Sequence, residues 1–242
     1  MSQFRILRVV IIGLALVLAA WLLSRGLQRK PAGEYIVATG MAEVNFTSDK
    51  IQWSGDYSRT NMELKQAYQQ VKADRERVQN YFRSKGVHDS EMKFSTIGID
   101  KLYDYVRSDG ESRNEFRGYK ASQRITLQSK RIDEIDRIAR ESMELIEAGL
   151  EFNAGTPAFY YTRLSDLKLS LVEKAATDAR NRAEKMASAA GTSLGGLKKS
   201  SLGVFQITGQ DENEEYSWGG VFNTSSRQKT ARVTVTAHYT TH

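Results

Sequence analysis

Three stretches of this chain set apolar residues at three- and four-residue steps, and each runs into a glycine. Together they constrain the fold more than any other feature. The first opens at Thr60, followed three residues later by Glu63, the spacing of a capping box. Leu64, Ala67, Tyr68, Val71, Val78 and Phe82 then share one face, and Gly86 stands at the C′ position. The second spans about 131–148, with Ile132, Ile135, Ile138, Ala139, Leu145 and Ile146 on its stripe and Gly149 as its stop. The third, about 166–190, is expected to be capped by Ser165 and to end at Gly191. Its second half carries Ala175, Ala176, Ala179, Ala183, Ala187, Ala189 and Ala190, small enough to let a helix lie close against a sheet or another helix.

Strand patterns fall between these helices. Residues 35–46 alternate weakly, with a break expected at Gly40, and 50–59 place Ile51, Trp53, Gly55 and Tyr57 on one face. A hairpin-like pair, 91–107 and 115–128, is joined by Ser108-Asp109-Gly110-Glu111-Ser112, a run of turn formers. A short strand at 158–162 holds Phe159, Tyr160 and Tyr161, and strands near 203–208 and 230–240 close the chain. The last alternates Ala231, Val233, Val235 and Ala237 with Arg232, Thr234 and Thr236. This order predicts an α+β fold, a mainly antiparallel sheet with three long helices packed on it. Two β-β-α beginnings hint at a diverged duplication. No Pro-, Gly- or Ser-rich linker divides the body, residues 34–242.

Ahead of the body, residues 9–24 form an uncharged, apolar run. With Ile6 and Leu7 it approaches the lower end of spanning length, about 17–25 residues. Arg8 and Arg25 are placed to snorkel to the two interfaces, and Trp21 suits the headgroup layer. The expected arrangement is an n-region (1–8), an N-terminal transmembrane signal anchor (9–24) and a juxtamembrane linker (25–33). The rival is a cleaved signal peptide, for which Ser24-Arg25-Gly26 is the best but poor cleavage site. Arg5 and Arg8 balance Arg25, Arg29 and Lys30, so charge leaves the orientation open.

Those five cations also explain the basic pI near 9.4. Without them the body holds 30 basic and 29 acidic residues, too even for a phosphate-backbone footprint. Nucleic acid is therefore rejected as a partner. No cysteine is present, which excludes disulfides, thiolate metal sites and a cysteine nucleophile. Three histidines, His88, His238 and His242, supply little for a metal centre, so no metal, cofactor or catalytic residue is expected.

Gly191-Thr192-Ser193-Leu194-Gly195 matches G-x-S-x-G, but a helix runs into it and β structure follows, the reverse of a nucleophile elbow. It reads as a helix stop and turn. His238 falls on the polar face of the terminal strand. The cluster Asp211, Glu212, Glu214 and Glu215 lacks the glycine and alternating oxygens of a calcium loop and reads as solvated. Tyr216, Trp218, Val221 and Phe222 follow it, around Gly219 and Gly220. Aromatics in such a loop either fold back onto the core or face another chain, which makes these four the candidate partner or oligomer contacts. Asn45-Phe46-Thr47 and Asn223-Thr224-Ser225 match glycosylation sequons, a pattern too common to decide anything. The run Lys72 to Arg77 reads as the solvent face of the first helix, with subunit contact as its alternative.

Taken together, the body resembles the SIMPL-domain family. The similarity runs from Val37-Ala38-Thr39-Gly40 and Ala42 through Gly118-Tyr119-Lys120-Ala121-Ser122. It continues with Leu164-Ser165-Asp166, Ala175-Ala176, Asp178-Ala179-Arg180, Ala183-Glu184 and 187–191, and ends with Val233-Thr234-Val235-Thr236. The resemblance implies an exported bacterial protein, oligomeric in several members, with no established enzymatic activity. It puts the body outside the cytoplasmic membrane, in the periplasm where one exists. The uncleaved anchor and the long loop at about 209–228 depart from many relatives. The expectation is a non-enzymatic, single-pass inner-membrane protein that self-assembles into a large homo-oligomer, a ring, cage or scaffold, in envelope maintenance or stress tolerance. Its partners would be itself and the bilayer, with any other protein partner unknown. The alternative is a module binding an envelope peptide, lipid or polymer through the aromatic loop.

Overall fold

A computed structural model describes residues 18–21, 35–108, 111–210 and 217–242. The expected anchor lies outside the described residues except for 18–21, which are helical with Leu18 and Trp21 exposed. Arg8 and Arg25 also lie outside them. Among the described residues no helix is long and apolar enough to cross a membrane.

The elements, in chain order, are β1 (Tyr35–Thr47), β2 (Lys50–Asn61), α1 (Leu64–Ser84), a 3-10 turn (Asp89–Glu91), β3 (Met92–Phe94), β4 (Gly98–Ser108) and β5 (Glu111–Ser129). Then come α2 (Ile132–Glu141), α3 (Glu144–Glu147), β6 (Glu151–Ala154), β7 (Ala158–Tyr160), α4 (Leu164–Ala189), β8 (Leu194–Leu202), β9 (Gln206–Gly209), β10 (Val221–Phe222) and β11 (Gln228–Thr241). The fold is α+β and its sheets are mostly antiparallel; β10 pairs parallel to β9. One sheet runs β1-β11-β9-β10 with β8 also on β11, the other β3-β5-β2-β6 with β4 on β5 and β7 on β2. The β-β-α order recurs but the pairing does not, because β4 pairs with β5 while β1 and β2 belong to different sheets.

The described residues divide into two compact units, those up to 42 with 172–203 and 233–242, and those of 43–171 with 204–232. In the larger unit, Ile51, Trp53 and Tyr57 of β2 and Ile125 and Leu127 of β5 are buried with Val71, Val78 and Phe82 of α1 and Ile135 and Ile138 of α2. Trp53 meets the Phe82 ring edge-on at 5.7 Å and donates its Nε1–H to the Gly155 carbonyl at 2.8 Å. Gly55 keeps that face clear: a Cβ there would come within 2.3 Å of the Phe152 ring.

In the smaller unit, Ala38, Ala179, Ala183, Ala237 and Tyr239 form the core. The buried residues of α4 recur every fourth position, Leu171, Ala175, Ala179, Ala183 and Ala187, which makes one straight seam of small groups. Gly40 does not break β1 as expected. It lies against that seam, where a Cβ would come within 2.2 Å of the Ala175 carbonyl and the Ala179 amide.

Several boundaries differ from expectation. Thr60 does not cap α1, because β2 continues to Asn61 and pairs Thr60 with Lys120. The Asn61 side chain accepts the Glu63 N–H instead, at 3.0 Å. The expected helix 131–148 is split into α2 and α3 at Ser142, whose buried hydroxyl donates back to the Ala139 carbonyl at 2.6 Å. Beyond that break Ile146 is exposed, against expectation. Ser165 lies inside α4 rather than before it.

Candidate interaction surfaces

The aromatic loop is held from β9. The Gln206 side chain donates Nε2–H to the Ser217 carbonyl at 2.8 Å and accepts the Val221 N–H at 2.9 Å. Gly220 takes a left-handed φ of 89° where a Cβ would press within 2.8 Å of Val204. This clamp leaves Trp218 100% exposed and sets Phe222 and Val221 in β10, at the end of the sheet path β1-β11-β9-β10. Phe222 is about half exposed and Val221 half-buried, while Tyr216 lies outside the described residues, as does the acidic cluster Asp211, Glu212, Glu214 and Glu215. Trp218 is thus not folded back onto the core.

Below the loop, Lys229 is buried and its ammonium donates to the Asn223 carbonyl at 2.8 Å and the Asn223 Oδ1 at 3.3 Å, and to the Ser226 carbonyl. Asn223 is itself buried, which removes the accessible amide that glycosylation requires.

A second surface escaped sequence reading. Strands β4 and β5 form one long hairpin, paired from Gly98–Ser122 to Ser108–Glu111. The described side chains of β4 are exposed or half-buried throughout, with Ile99, Tyr103 and Tyr105 prominent. Tyr103 packs edge-on against Phe116 at 5.7 Å, and Phe116 against Tyr119 at 5.2 Å. Among the described residues strand β4 pairs only with β5, so its other edge offers backbone N–H and C=O groups. Asp104 is matched to Arg117, whereas Asp100, Lys101 and Arg107 make no ion pair among the described residues. The signal available was the pattern itself: charged residues on both faces, Asp100 and Asp104 on one and Lys101 and Arg107 on the other, leave the strand no face for a core.

The run Lys72 to Arg77 is not simply a solvent face. Asp74 is 4% exposed and occupies the core side of α1, one helical step between Val71 and Val78. Arg59 grips it through Nε and through Nη2 at 3.1 Å, and Arg77 donates Nη1–H at 3.0 Å. Both guanidinium groups also donate to the end of α3, Arg59 to the Gly149 carbonyl at 2.8 Å and Arg77 to that of Ala148. The hydrogen bond to Asp74 raises the Arg59 pKa further. Although a cleft of about 600 Å³ opens beside it, this network spends its donors tying α1, β2 and α3 together.

The remaining candidates are structural where described. Ser193 follows the stop at Gly191 and precedes β8; its backbone N–H donates to the His242 carbonyl at 3.1 Å. No strand delivers it into a strained turn. His238 lies in β11 opposite Lys199, its ring 5.5 Å from that of Tyr35. His88 accepts from Glu91 in the 3-10 turn, at 2.9 Å through its carbonyl. Asn45 accepts from the Thr230 hydroxyl at 2.8 Å.

Comparison with curated proteins gave no match. The family model described as SIMPL, protein of unknown function (DUF541), matches residues 36–239, nearly all of the body. The chain therefore belongs to the SIMPL family.

Proposed function

We propose that this chain is a non-enzymatic assembly module, anchored by its N-terminal segment to the bacterial inner membrane with its body on the extracytoplasmic side. Copies associate through the β4 edge to build a large homo-oligomer, a ring, cage or scaffold, that serves envelope maintenance or stress tolerance. The observation that carries the reading is the exposed β4–β5 arm, whose outer edge has no strand partner among the described residues. That edge is self-complementary. Two copies paired antiparallel through this edge set residues on the same face opposite each other. The register centred on Tyr103 sets Tyr103 opposite its own copy, Leu102 opposite Asp104, Lys101 opposite Tyr105, Asp100 opposite Val106 and Ile99 opposite Arg107, with no like charges directly opposed. Closed symmetry repeats such a contact, and the anchors fix each copy's orientation.

Lysines along the edge test this directly. Tyr103→Lys with Tyr105→Lys opposes like charges at the central pairs of that register and is expected to shift the assembly to smaller species on a sizing column, whereas Tyr103→Phe with Tyr105→Phe leaves it unchanged. Assembly unchanged in the lysine variant would sink the β4 contact.

The full exposure of Trp218 supports the alternative, a binding module for an envelope peptide, lipid or polymer. Under it, Tyr216, Trp218 and Phe222 replaced together by Ala abolish partner capture and leave assembly intact.

A further inference from the structure

A different part of the larger unit, independent of the arm and the aromatic loop, has the properties of an anion site. A surface cavity of about 440 Å³ is lined by Ser48, Asp49, Arg227 and residues 130–134, where α2 begins. Ser48 is 3% exposed, and its Oγ is the buried side-chain polar atom without a hydrogen-bond partner among the described residues. Such an orphan is costly unless something occupies the site.

Helix α2, ten residues long, contributes its N-terminus with no side chain capping it. The Ile132 amide turns back to the Lys130 carbonyl and that of Ile135 to Arg131, but no hydrogen bond reaches the amides of Asp133 and Glu134 among the described residues. Free N–H groups at the positive end of a helix dipole favour an anion.

The carboxylates nearby do not cancel this, because each is already committed. Asp133 is held by Arg227 through both oxygens and Glu134 by Arg131 at 2.6 Å. Asp49 accepts the Thr162 N–H at 2.7 Å and the Thr162 hydroxyl at 2.6 Å. Lys130 makes no ion pair among the described residues, though Asp49 feels its charge at longer range. The uncommitted groups are thus an ammonium, two helix amides and a hydroxyl, all able to donate. Ser48 is kept beside Arg227 by its own N–H, which donates to the Arg227 carbonyl at 2.9 Å.

We propose that this cavity binds a tetrahedral oxyanion of the phosphate class through the Ser48 hydroxyl, the Asp133 and Glu134 amides and the Lys130 ammonium. Free inorganic phosphate and the phosphodiester of a lipid headgroup share that chemistry.

The test is calorimetric titration of the full chain, in a phosphate-free non-ionic detergent, with inorganic phosphate and with glycerophosphoglycerol, the soluble headgroup of phosphatidylglycerol. Saturable binding is expected, weakened about tenfold in Ser48→Ala by loss of a hydrogen bond to a charged group. The ligand-free Ser48→Ala protein should melt no lower than the parent, since the hydroxyl it loses has no partner; a purely structural hydroxyl would lower it. Lys130→Gln, at an exposed position, should weaken binding at least about threefold and decides the matter if Ser48→Ala fails to fold. Tighter binding of glycerophosphoglycerol identifies a headgroup site, and tighter binding of inorganic phosphate a free-anion site. No saturable binding of either, or equal binding by parent and variants, overturns the proposal.

Discussion

Removing Asp74 would leave Arg59 and Arg77 facing each other and the end of α3 without the charge that holds them. Breaking a buried ion network by deleting one partner is costly, so Asp74→Ala is expected to lose about 3 kcal/mol in urea unfolding. A loss near zero would mean the two guanidinium groups find water instead. Glu91 carries a pH dependence of known sign. Burial would raise its pKa, but Arg131, the Ser129 hydroxyl at 2.5 Å and the His88 N–H at 3.0 Å outweigh burial and hold it below its ordinary 4.5. The folded protein therefore binds this proton less readily than the unfolded chain. The stability Glu91 contributes is complete above that value and is lost as pH falls through the lowered one. Glu91→Gln should accordingly destabilise by about 1–2 kcal/mol near pH 7 and by less once the pH has fallen below 4.5. An equal penalty at both pH values would contradict the assignment. Neither residue announces itself in the sequence: Asp74 sits inside a mixed charge run, and Ser129 and Arg131, whose side chains hold Glu91, lie about 40 positions away.

Among the elements, three helices close with the same device. The Gly86, Gly149 and Gly191 amides donate to the carbonyls of Arg83, Ile146 and Ser188, and the amides of Val87, Leu150 and Thr192 to those of Phe82, Leu145 and Ala187. This is the Schellman pattern, and all three glycines have positive φ. A Cβ at Gly191 meets nothing within 4 Å, so Gly191→Ala should cost only the left-handed strain, about 1 kcal/mol. Gly40→Ala drives a methyl group into the α4 backbone and should cost about 3 kcal/mol, read by the same urea unfolding. Reversal of that order would contradict the close β1–α4 seam. Helix stops and apolar stripes were legible because one glycine and a 3.6-residue period carry them locally. Strand β8 was not, since Leu194-Gly195-Gly196-Leu197-Lys198-Lys199 has no alternation and its place depends on backbone pairing with β11. Strand β6 is four residues long, too short for any period to register. The break at Ser142 was hidden because the apolar spacing runs through it.

For the whole molecule, family and fold class were readable from motif order, yet the surfaces were readable only in part. The aromatic loop stood out because Trp218 and Phe222 sit among polar residues and glycines. The β4 arm did not, because a strand exposed on both faces presents no amphipathic signature, and the cavity at Ser48 gathers residues from three distant segments. The proposed assembly through the body, with the N-terminal segment as anchor, is decided by the mass, from light scattering on a sizing column, of the detergent-solubilised full chain and of residues 31–242. Uniform particles of many copies from both are the predicted result; a monomeric 31–242 at every concentration would contradict it.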